Sequence, residues 1–280
     1  MPQVPQVPLP WRTVPYGSDS PRQLLDLHVP DGPGPHPVVV AVHGGAFRAG
    51  DRTGELDALP ALLAHGYAVA AVGYRLSGEA VFPAAVQDVK RAVAHLRHHA
   101  GELDLDAERF AAWGRSAGAY LAVMAGATGG RRTPFDTVGA DSSVAAVVGW
   151  YGPSDFSLMD AQLAAAPPRD GTPVMDHGGA DSPESRFLGA PLAEVPGLVQ
   201  SANPVPWLRA APVLPAFWLA AGSEDPLVPH QQTVLVVEEL VRRRADVTFR
   251  LLPGVGHAGP EFERRLTAPV LAWLDEVLRR

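Results

Sequence analysis

Cysteine is absent from the 280 residues, so neither a disulfide framework nor a thiolate metal site can form. Lysine is almost absent as well. Lys90 stands alone among 23 basic residues, a compositional bias that carries no functional message. Positive charge is in deficit, and the net charge of -7 argues against a nucleic-acid partner, because neutralising phosphates needs a basic surface. A nucleic-acid partner is therefore not expected. Long apolar runs are missing too. Val38 to Val42 and Ala68 to Val72 are far too short to span a bilayer, so no membrane partner is expected. The start, Met1 to Pro10, lacks the basic residues and apolar run of a secretion signal, and its four prolines oppose a helix. Together with the missing cysteines, this makes a cytoplasmic location the expectation.

What is present is core material. Hydrophobic residues make up 46% and charged residues 19%, which suits one large folded domain over residues 1–280. Short apolar runs alternate with longer helical patterns, the mark of a mostly parallel sheet covered by helices. Strands are expected at Leu24–Val29, Val38–His43, Ala68–Val72, Phe110–Trp113, Val144–Trp150, Ala216–Ala220 and Thr248–Leu252. Helices are expected at Glu55–His65, Ala84–His99, Ala117–Ala127, Gln231–Arg243 and Glu261–Arg279. Pro153 to Pro212 breaks this rhythm with Pro, Ala, Gly and Asp. An insertion of that length between core strands is more often functional than idle, and it reads as a short cap over the site.

The strongest chemical signal is Gly114-Arg115-Ser116-Ala117-Gly118, which follows an apolar run and opens a helical pattern. In that setting a G-x-S-x-G sequence makes a nucleophile elbow, with the serine hydroxyl lifted above a sheet. The run His43-Gly44-Gly45-Ala46-Phe47 ends another strand. Its bare backbone suits an oxyanion hole, with donors at Gly45 and Ala46 joined by the Ala117 amide. His43 is expected to anchor this loop rather than act as a base. A serine nucleophile needs a base and an orienting acid. After Ser116 the histidines are His177, His230 and His257, and His257 sits in a glycine-rich loop after the last strand. His177-Gly-Gly has no strand before it and reads as a plain loop. For the acid, Asp225 follows the Ala216–Ala220 strand, with Asp155 and Glu224 as rivals. Candidate walls of a substrate pocket are Phe47, Trp150, Tyr151 and Trp207. His95, His98 and His99 share helical spacing, but no carboxylate or cysteine completes a metal set.

These motifs, with Gly73-Tyr-Arg-Leu76, Phe82-Pro83 and Asp88, resemble the α/β-hydrolase superfamily along essentially the whole chain. More narrowly they are similar to the branch holding hormone-sensitive-lipase-type esterases, kynurenine formamidases and small acetyl-xylan or feruloyl esterases. The segment Ser182-Pro-Glu-Ser-Arg186 to Ala202-Asn-Pro204 is similar to the short cap of the last group. Two positions depart from the pattern. Arg115 stands where an acidic or small neutral residue is usual, and Ala46 where glycine is frequent. The resemblance implies an α/β-hydrolase fold and a Ser116–His257–Asp225 triad. It also implies hydrolysis of small carboxylic esters through an acyl-enzyme, with no metal or organic cofactor. The alternatives are an amidase acting on N-formyl aryl amines and a non-catalytic receptor of the same fold.

Overall fold

The computed structural model describes residues 11–54, 58–136, 139–169 and 171–279. The chain's start and the first residues of the helix expected from Glu55 lie outside these. The described residues form an eight-stranded sheet in the order β1-β2-β4-β3-β5-β6-β7-β8. Its strands are β1 (Arg12–Pro15), β2 (Leu24–His28), β3 (His36–Val42), β4 (Ala68–Val72), β5 (Leu105–Arg115), β6 (Ala146–Trp150), β7 (Ala216–Gly222) and β8 (Val247–Leu252). Only β2 runs against its neighbours; from β4 through β8 every pairing is parallel. Strand β1 was not among the expected strands, because its four residues include one proline and only one buried side chain. Such a strand owes its place to pairing with β2, not to its own pattern.

The central strands are apolar without alternation because both faces of the sheet are covered. Along β3, Val38, Val40 and Val42 join one core, while Val39 and Ala41 join the other. The first core is closed by α2 (Ala84–His98), α3 (Ala117–Thr128) and α8 (Gln231–Arg242). The second is closed by α1 (Leu59–Ala64) and α9 (Glu261–Leu278). Helix α3 is buried along its whole length, so its alanines and glycines serve close packing against the sheet.

Among the described residues, 153–212 hold four short α-helices, α4 (Met159–Ala165), α5 (Pro183–Leu188), α6 (Pro196–Ala202) and α7 (Pro204–Ala210). Three of them have proline at a first-turn position, where its missing N–H costs nothing. Ser182 caps α5 through the Ser185 N–H, and Asn203 caps α7 through the Val205 N–H. Among the described residues the segment has no separate core cluster. Phe156, Met159, Phe187, Leu188 and Leu208 belong to the first core of the main domain. Phe187 stacks on Phe47 with ring centroids 4.0 Å apart, and Tyr120 Oη donates to the Ala202 carbonyl at 2.8 Å. Because Phe187 bridges insertion and main core, Phe187→Ala is expected to lower unfolding stability by about 3–5 kcal/mol. Urea denaturation measures this, and a loss below about 1 kcal/mol would mean that the insertion is energetically separate.

Candidate active site

The loops that follow β3, β5, β6, β7 and β8 leave the carboxyl ends of adjacent parallel strands. That is where ligand sites gather in open α/β sheets. The β5 loop is the sharpest. Ser116 has φ 52° and ψ -124°, a conformation costly for a residue with a side chain. A Cβ at Gly118 would collide with the Val42 carbonyl, and one at Gly114 with the Gly118 carbonyl. Only glycine allows β5, α3 and β3 to converge this closely. The Ser116 N–H donates to the Trp150 carbonyl at 2.9 Å, which ties the turn to β6.

Ser116 Oγ lies 3.0 Å from His257 Nε2, and His257 Nδ1 lies 2.7 Å from Asp225 Oδ2. The other Asp225 oxygen accepts the backbone N–H groups of Leu227 and Val228, both at 2.9 Å. The Asp225 side chain is fully buried. Its charge is met by three hydrogen bonds, as a buried carboxylate requires. Tyr151 packs edge-on against the His257 ring at 4.8 Å. Ser116, His257 and Asp225 thus stand in hydrogen-bonded sequence, able to pass a proton from hydroxyl to imidazole while the carboxylate holds the ring. Asp155 and His230 stand apart from it. Asp155 accepts the Ser157 N–H at 3.1 Å and Asn203 Nδ2 at 2.9 Å, as a helix cap. His230 begins α8.

The β3 loop passes beside the serine. A Cβ at Gly44 would lie 3.1 Å from the Arg115 carbonyl and 3.4 Å from Ser116 Cβ, so this backbone runs in close contact with the elbow. Gly45, Ala46 and Phe47 all have positive φ, at 119°, 53° and 61°. His43 secures the loop from within. Its ring stacks on Tyr74 at 4.2 Å, its Nδ1 lies 2.7 Å from the Gly44 carbonyl, and burial pushes its pKa down. The neutral ring donates to that carbonyl. From the flank, Tyr74 Oη donates to the His43 carbonyl at 3.0 Å and the Ser77 N–H to the Phe47 carbonyl at 2.8 Å. Arg75 in turn grips the buried Asp88 at 2.7 Å.

Ser116 and His257 open onto a cavity of 780 Å³ bordered by the β3 loop and the start of α9. Arg52, Arg115, Tyr151 and Glu263 also line it, and Arg115 pairs with Glu263 at 2.8 Å. Of the four aromatic residues expected to wall a pocket, Tyr151 alone borders this cavity. Phe47 is buried against Phe187, and Trp150 lies wholly inside the second core. Trp207 packs on Phe135 at 4.9 Å and donates to the Ser201 carbonyl. Trp150 does end β6, as expected, but sequence position does not say toward which face a ring turns. Nor does the insertion line the cavity: none of the lining residues falls in 153–212. It reaches the site differently, bonding to residues 224–227. The Arg169 N–H donates to Glu224, the Met175 N–H to the Pro226 carbonyl and His177 Nε2 to the Leu227 carbonyl. These tethers were missed because they join segments about 50 residues apart without a local pattern. Among the described residues no cluster of three metal-ligating side chains occurs.

The BD-FAE family model matches residues 25–240, a span that runs from β2 to near the end of α8 and includes Ser116 and Asp225. The chain belongs to the BD-FAE family. Esterase LipC of Mycobacterium tuberculosis is 31% identical over 96% of this chain and 65% of its own length. Esterase LipQ of the same organism is 28% identical over 91% and 60%. The chain thus spans about two thirds or less of these curated relatives. A solved structure described as a truncated carbohydrate esterase from gut microbiota superposes with a TM-score of 0.83, at 26% identity and 96% coverage of each chain. The sheet order and these likenesses make the fold an α/β-hydrolase fold.

In this BD-FAE chain the serine environment carries its own test. A fluorophosphonate is expected to label one residue, Ser116, and peptide mass mapping locates it. Gly118→Ala is expected to slow labelling at least about 100-fold by displacing the elbow, since a shift near 1 Å already costs that much. Equal labelling of Ser116→Ala would place the reactive group elsewhere.

Proposed function

We propose that this protein hydrolyses small carboxylic esters through an acyl-enzyme on Ser116. The observation that carries the proposal is the Ser116–His257–Asp225 hydrogen-bonded sequence opening into a cavity beside a positive-φ glycine loop. The names of the two mycobacterial relatives, both esterases, support the same reading.

In the proposed reaction His257 Nε2 takes the Ser116 proton as Oγ attacks the ester carbonyl. The oxyanion that forms accepts backbone N–H groups of Gly45, Ala46 and Ala117. Ala117 is the first residue of α3, so its N–H has no partner within the helix and the helix dipole favours negative charge there. Asp225 holds the Nδ1–H tautomer and faces the imidazolium. The imidazolium then protonates the departing alcohol, and His257 next activates water to cleave the acyl-enzyme. The proposal includes a small-molecule partner and a cytoplasmic location.

Asp225→Asn is expected to lower kcat by about 10⁴-fold, because the amide stabilises the wrong imidazole tautomer. Asp155→Asn is expected to stay within a few-fold. The reverse order in steady-state assays would transfer the acid role to the preceding strand. The cavity has apolar wall at Val42, Trp113, Tyr151 and Leu227 but also carries the charged Arg52, Arg115 and Glu263, so it suits a short acyl group better than a long alkyl chain. On p-nitrophenyl esters, kcat/KM is expected to peak between acetate and butyrate and to fall beyond about eight carbons, where each methylene left unburied forgoes about 0.8 kcal/mol. A maximum at dodecanoate would contradict this. Faster turnover of an N-formyl arylamine than of the matched ester would make the enzyme an amidase.

A further inference from the structure

His177 lies in the insertion, is 1% exposed and lines no part of the cavity. Both of its ring nitrogens are nevertheless engaged. Nδ1 is 2.9 Å from Glu184 Oε2, and Nε2 is 2.8 Å from the Leu227 carbonyl oxygen. A carboxylate and a carbonyl can only accept, so satisfying both contacts takes a proton on each nitrogen. With Glu184 ionised, the buried pair is an imidazolium and a carboxylate. Leu227 is the residue whose N–H, with that of Val228, holds Asp225 Oδ1. His177 thus grips the carbonyl face of the same residue whose amide face grips the Asp225 carboxylate.

We propose that His177, charged and held by Glu184, is a positioning residue that fixes the 225–228 turn so that Asp225 Oδ2 meets His257 Nδ1. The inference rests on the reading of Asp225 as the orienting acid. The loop needs such a clasp because Asp225 acts from a turn, and the elements beside it are short helices without a core of their own. The clasp is itself braced. Asp160 of α4 accepts the His177 N–H at 2.8 Å and the Gly178 N–H at 2.7 Å, while Asp176 accepts the N–H groups of Gly178 and Gly179. The ionisable groups around His177 are then Glu184 from α5, Asp160 from α4, Asp176 beside it in sequence, and Asp225 beyond Leu227 on the acid turn. All are acidic. Burial works against the imidazolium, but the hydrogen bond and charge of Glu184, the Leu227 carbonyl and Asp160 outweigh it, and the pKa is raised above the ordinary histidine value. A group whose pKa is raised by folding contributes at low pH and loses that contribution as pH rises through the raised value. Release of the clasp therefore belongs on the alkaline side.

Three measurements on the full chain test this. His177→Leu is expected to lower kcat on p-nitrophenyl acetate by about 10- to 100-fold while KM changes less than about threefold, since misalignment acts on the transition state. In a double-mutant cycle, adding His177→Leu to Asp225→Asn is expected to cost no more than about twofold further, because both act through His257. Glu184→Gln is the conservative variant. Its amide donates to Nδ1 and leaves Nε2–H on the Leu227 carbonyl at every pH. It is expected to lose much less kcat than His177→Leu and to remove an alkaline fall that the unaltered protein shows. If Asp225→Asn costs about 10⁴-fold but His177→Leu stays within twofold, or its loss adds in full to that of Asp225→Asn, the clasp is overturned while the acid reading stands. An alkaline limb unchanged in Glu184→Gln overturns it as well, even should His177→Leu fail to fold. A small effect of Asp225→Asn overturns the acid reading itself.

Discussion

The left-handed backbone at Ser116 is the constraint on which the rest of the site depends. That conformation is costly, and it persists because β5 and β3 pair with Gly114 opposite Val42 while Gly118 presses on the Val42 carbonyl. Remove either glycine and the strand, turn and helix cannot close together. The same pairing sets the β3 loop beside the serine, since one close approach brings Gly44 against Arg115 and Ser116. Ser116 and the glycine loop after β3 are thus placed by a single packing event, not by two independent ones.

Charge is handled by enclosure on the other side of the site. Asp225 is buried but fully met by two backbone N–H groups and His257, and His177 with Glu184 stands one residue behind it. A buried carboxylate with fewer partners would favour its neutral form and could no longer hold a cationic ring. The insertion supplies this backing. Its helices are too short to persist alone, so they borrow the main core through Phe156, Phe187 and Leu208. In return its loops bond to residues 224–227. This division explains why a segment that lines no part of the cavity is still bonded to the site.

Much of this was legible in the sequence. Seven of the eight strands were marked by apolar runs, because strands covered on both faces need unbroken hydrophobicity. The glycines around Ser116 and His43 announced turns in which a Cβ has no room, and such a steric requirement is local. Ser116, Asp225 and His257 stood out because each follows a strand end, and strands are what periodicity reveals. Strand β1 was not legible, since a four-residue edge strand takes its conformation from its neighbour.

Only the tertiary structure decided which side chains face the cavity. Phe47 lies in the loop after β3 and Trp150 at the end of β6, yet both turn into the two cores, because the face a ring takes depends on which helix covers it. It also decided what His177 does. A His-Gly-Gly run with no strand before it carries no local signal, and its partners, seven and 50 residues away, meet it only when the insertion folds back onto the acid turn. Local sterics and periodicity are written residue by residue, whereas a buried charge pair depends on distant segments arriving together.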